Sequence, residues 1–117
     1  MTRQRVRRDA ERGSAAAELA LALPAVVFTL LLGVGALAAA SQQVALQDAT
    51  ADAARLLGRG ESVAAAHAAV AASVSDARVS NEVRGDLTCV SASIEATLGR
   101  LISIPLTASS CALNGGW

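Results

Sequence analysis

Between Glu18 and Asp48 the chain carries no charged side chain, and the stretch from Leu19 to Ala40 supplies 22 consecutive uncharged residues. As a helix rising about 1.5 Å per residue it is roughly 33 Å long, enough to cross a hydrocarbon core of about 30 Å. Two readings follow. One is a spanning helix; the other is a secretory signal in which Ala38-Ala39-Ala40 forms an A-x-A cleavage site, against which the run exceeds the usual apolar core of about 7 to 15 residues. Everything else must attach to this segment, because at 117 residues the chain has room for one further small domain.

The formal net charge of zero conceals an asymmetry. Arg3, Arg5, Arg7, Arg8 and Arg12 stand against Asp9 and Glu11, so the first dozen residues carry +3 and the remainder −3. A basic arm directly before an apolar span orients insertion, which places the amino end in the cytoplasm and the carboxyl end outside. That accounts for the arginines better than a nucleic-acid-binding arm does.

Glu18 stands at the edge of the apolar run. An ionisable group there either ends the interfacial turn or has a functional partner, and physics alone does not choose between them. The spacing adds to it: Gly13 follows the charged arm, a small residue comes next, and Glu18 is the fifth residue beyond Gly13.

The segment E-R-G-S-A-A-A-E-L-A-L-A-L-P resembles a prepilin peptidase site in the TadE-like pseudopilins of tight-adherence (Flp-type) pilus systems. The downstream Q-D-A-T-A-D-A-A-R-L-L-G-R-G resembles the same family's continuing helix, and the likeness covers roughly Arg12 to Gly60. It implies cleavage between Gly13 and Ser14 and a new α-amino group on Ser14. It also implies an assembly role for Glu18, whose carboxylate neutralises that amine in its own or a neighbouring subunit. The implied partners are the peptidase, other pilin or pseudopilin subunits and a membrane assembly platform, with no nucleic acid and no cofactor. Two departures from the major Flp pilins point to a minor subunit. Leu19 stands where they usually carry Tyr, and the carboxyl-terminal region is longer than theirs.

Within the apolar run, Pro24 removes one backbone hydrogen bond and is tolerated in a spanning helix. Gly35 with Ala39 and Ala36 with Ala40 have the small-xxx-small spacing of close helix packing, which so Ala-rich a chain also produces by chance. Beyond Ala40 the helix is expected to continue in water. Leu46, Ala49, Ala53, Leu56 and Leu57 form its apolar stripe, Gln47, Asp48, Asp52 and Arg55 occupy other faces, and Gly58 and Gly60 stop it. A second helix is expected from Glu61 to Ala72, with His67 as a surface or packing residue.

The composition then turns to strand: Ala77 to Val83, a turn at Arg84-Gly85-Asp86, Leu87 to Ala96, and Pro105 to Ala112 after a loop near Arg100. If Cys89 and Cys111 face each other in antiparallel register, paired numbers sum to 200. Val90, Ala92, Ile94, Ala96, Ile104, Leu106 and Ala108 then share an apolar face, while Ser91, Ser93, Glu95, Thr107 and Ser109 share a wet one with both cysteines. Free buried thiols are the alternative; in a segment placed outside the membrane a Cys89–Cys111 disulfide is the better reading, and it closes a loop worth roughly 3 kcal/mol. Asn114 to Trp117 read as a flexible tail in which Trp117 offers a contact.

No phosphate loop, nucleophile with base or metal-ligand cluster is present in the sequence, so no catalytic residue, metal or cofactor is assigned. The expectation is an α+β chain in which a long N-terminal helix, its first half transmembrane, precedes a short second helix and a small antiparallel sheet of about three strands. Its segments are a basic leader at 1–13, the transmembrane half-helix at 14–40, the extracytoplasmic half-helix at 41–60 and an extracytoplasmic domain at 61–117. The expected place is the cytoplasmic membrane, crossed once, with display at the cell surface in a pilus as a further step. A membrane-anchored or secreted binding domain, unrelated to pili and never processed at Gly13, is the alternative.

Overall fold

The computed structural model describes residues 2–98 and 101–115. The expected loop centre at Arg100 and the expected contact at Trp117 lie outside these residues. The order is α1 (Thr2–Gly58), α2 (Val63–Ser73), β1 (Arg78–Arg84), β2 (Leu87–Leu98) and β3 (Ile102–Leu113), an α+β arrangement of two helices followed by one antiparallel sheet. The chain divides into two compact units between Ala36 and Leu37, and α1 runs through both.

The first unit is helix alone. It continues through Pro24 and exposes its large apolar side chains, among them Leu21, Phe28 and Leu31. An 18-residue apolar window in α1 has none of its residues buried, so α1 holds a candidate membrane anchor long and apolar enough to cross a bilayer.

In the second unit α1 buries Leu46, Ala49, Thr50, Ala53 and Ala54 against Ala66 and Val70 of α2 and Val90, Ala92 and Ala108 of the sheet. Leu57 is half-buried beside this core. Thr50 fits inside because its hydroxyl donates to the Gln47 carbonyl at 2.9 Å, leaving no unsatisfied donor.

The helix ends in a Schellman turn. Gly60 has φ 90°, the Glu61 N–H donates to the Leu56 carbonyl at 3.0 Å, and the Gly60 N–H donates to Leu57 at 3.0 Å. Gly60 alone is therefore the cap. Gly58 lies inside the helix for another reason: a Cβ there would sit 2.7 Å from the Leu113 carbonyl oxygen.

The second helix starts two residues later than expected because Ser62 is its N-cap, accepting from the Ala65 N–H at 3.1 Å. Strands β2 and β3 pair with numbers summing to 200, from Leu87 with Leu113 to Leu98 with Ile102. The expected face holds: Val90, Ala92, Ala96 and Ala108 are buried, and Ile94 and Leu106 pack on the core. Strand β1 joins β2 through a two-residue turn whose first residue, Gly85, has φ 59°, while Asp86 keeps an ordinary negative φ, as in a type II′ hairpin.

Strand β3 begins at Ile102, three residues before the expected Pro105. In such a two-residue hairpin Arg84 and Leu87 form the hydrogen-bonded pair, so the alternation gives the odd residues of β2 their backbone bonds toward β1 and makes their pairs with β3 the non-hydrogen-bonded ones. Pro105 belongs to that set on an edge strand, and its missing N–H removes no ladder bond. Asn114 and Gly115 are not a free tail, since their N–H groups donate to the Asp86 carbonyl at 2.8 Å and the Gly58 carbonyl at 2.7 Å. The Thr88 hydroxyl also donates to the Asn114 side chain.

Candidate functional site

Gly13, Ser14 and Glu18 lie within α1, all exposed. Ser14 and Glu18 are one turn apart on the same helical face, separated by about 6 Å along the axis. Among the described residues no cation pairs with Glu18, so its carboxylate stands open at the start of the apolar run. A Cβ on Gly13 would meet nothing within 4 Å. Glycine inside a helix is less favourable than alanine by about 1 kcal/mol, so neither packing nor backbone conformation accounts for Gly13.

Cys89 and Cys111 are register partners in a non-hydrogen-bonded pair, with Cα atoms 4.0 Å apart, and they form a disulfide that spans 22 positions. The bridge lies on the outer face, as the register requires, but Cys89 is itself buried and so departs from the wet surroundings expected there. Beside it Ser80, Ser91 and Ser109 stand abreast across the three strands, and the Ser91 and Ser109 hydroxyls are 3.2 Å apart.

Two glutamines on the polar side of α1 hold structure. Gln43 donates its side-chain amide to the Thr107 carbonyl at 2.8 Å, and Gln47 donates to Ser109 at 3.2 Å. Both carbonyls belong to odd residues on the outer edge of β3, so α1 covers the edge that β2 leaves open. No apolar signal marks either glutamine in the sequence, although their i,i+4 spacing places them on one face. His67 Nε2 lies 3.2 Å from Asn81 Oδ1, joining α2 to β1 as a packing residue does. Arg55 pairs with Asp52 at 3.1 Å on an exposed helix face, where such a pair adds little.

The family of TadE-like proteins matches residues 13–55. Residues 13–55 are thus similar to that family. The matched stretch begins at Gly13 and ends within the last two turns of α1, taking in Ser14, Glu18, the whole apolar run and both edge-covering glutamines. The match leaves α2 and the sheet outside its reach. No curated protein and no solved structure matches the chain.

Proposed function

We propose that this chain is a minor pilin or pseudopilin that assembles into a Flp (Tad) type pilus or a related secretion filament. A prepilin peptidase removes residues 1–13, residues 14–40 span the cytoplasmic membrane with the amino end inside, and the disulfide-linked domain stands outside. Partner pilin subunits pack against the helix, and a membrane assembly platform receives it. Its work is assembly and not catalysis.

The observation that carries this reading is the start of the TadE-like match at Gly13, a glycine with no structural reason in its helix, with Glu18 as the fifth residue beyond it. Cleavage frees a positive amine on Ser14 beside lipid. An unpaired charge of either sign there costs several kcal/mol, and Glu18 one turn on neutralises it and sets the axial register between subunits. Exchange of Glu18→Gln tests this. Membrane insertion and leader removal should persist while incorporation into the filament falls; normal incorporation would remove the register role even with processing intact.

A further inference from the structure

The two edges of the sheet differ. On β3 the outward carbonyls of Thr107 and Ser109 accept from Gln43 and Gln47, so α1 covers that edge. On β1, Arg84 and the other even residues direct their N–H and C=O groups to β2, which leaves those of Val79, Asn81 and Val83 pointing away from the sheet. Among the described residues no strand pairs with them.

Edge strands are commonly shielded by a proline, a bulge or a charge turned toward the core, and β1 has none of these. Its positions on the core side are Val79, Asn81 and Val83. Its charges, Arg78, Glu82 and Arg84, all stand on the outer face with Ser80, and Arg84 pairs with Glu82 along the strand.

A second copy laid antiparallel against this edge must match odd residues with odd, so paired numbers sum to an even value. Three such registers align five or more residues of Arg78–Arg84, with sums of 160, 162 and 164. The sum 162 sets Arg78 against Arg84, and 164 sets Glu82 against its own copy. The sum 160 sets Arg78 against Glu82 twice, in non-hydrogen-bonded pairs where side chains lie closest, and Ser80 against Ser80 on the two-fold axis. Next to β1, α2 exposes only small side chains, from Val63 and Ala64 to Ala72 and Ser73, and raises no bulk against a second copy.

We propose that two copies of this chain join antiparallel through β1, in the register that sums to 160, and make one continuous sheet with three strands from each. A second copy fits better than an unrelated strand because the charges of β1 complement themselves. The inference concerns the Leu37–Trp117 unit alone and holds whether or not the chain enters a pilus.

The test uses the full chain in detergent with Cys89–Cys111 oxidised, a bridge that already joins a pair of the same non-hydrogen-bonded kind. Mild oxidation should link Ser80→Cys to its own copy, seen as a reducible dimer whose peptides join at position 80. Val83→Cys, about 20 Å from its own copy in this register, should stay monomeric. Adding Arg78→Glu or Glu82→Arg to Ser80→Cys should slow the linkage roughly tenfold, since each sets like charges against each other at two places. Mixing the two charge variants should restore it, because opposite charges then face each other again, a recovery that a misfolded variant would not show. Absence of linkage at 80, or equal linkage at 80 and 83, would overturn the strand pairing. Linkage that ignores both charge changes, or no recovery on mixing, would overturn the register.

Discussion

The side-chain amide of Gln43 donates to the main-chain carbonyl of Thr107, 64 residues further along, and ties the helix to the outer edge of the sheet. Gln47 repeats the contact one turn on at Ser109. The pair fixes both the direction of β3 along α1 and the protection of its edge.

Removing these donors should loosen that edge. Gln43→Ala is expected to lower stability by about 0.5–1.5 kcal/mol, and the double exchange with Gln47→Ala by more than either alone, since each leaves a β3 carbonyl without its protein donor. Denaturant titration in detergent, followed by strand circular dichroism, measures it. Equal midpoints for wild type and double variant would contradict the edge-covering role.

Gly58 should resist even the smallest side chain. An added methyl would meet the Leu113 carbonyl oxygen at 2.7 Å, and backbone cannot swing aside as a flexible side chain can. Overpacking of this kind costs about 1–3 kcal/mol, more than the roughly 1 kcal/mol that alanine gains over glycine within a helix. Gly58→Ala should therefore melt at a lower temperature; a higher melting temperature would mean that the close approach of β3 is not made.

Opening the disulfide should weaken the sheet-bearing unit more than either of these changes. Its sheet packs on a core built largely of alanine, with Leu46, Val70 and Val90 as its largest fully buried apolar side chains. Cys89→Ser with Cys111→Ser is expected to lose about 3 kcal/mol, read from the denaturation midpoint against the oxidised wild type. A change within error would show that the covalent link adds nothing to the register already set by the strands.

The β2–β3 register is legible in the sequence because strand side chains alternate strictly. Pairing Cys89 with Cys111 sorts Val90, Ala92, Ile94, Leu106 and Ala108 to one side, and a slip of one residue would turn them all outward. The start of β3 is not legible, because Pro105 reads as the beginning of a strand until the strand is known to lie at an edge. Thr50 and Ala54 escape the apolar stripe for different reasons: a buried hydroxyl satisfied by its own helix looks polar, and in so alanine-rich a helix Ala54 does not stand out from its neighbours. Gly13 and Glu18 stand out in the sequence through their spacing and the family resemblance, and the fold adds only that both are exposed on α1.

The most direct test of the account is the mass of the amino-terminal peptide of the protein isolated from its own host. A peptide beginning at Ser14 is the predicted result. One that retains Met1 and the arginine arm, or that begins at Ser41 after a signal cleavage, would contradict the pilin reading and leave a small domain tethered or secreted by other means.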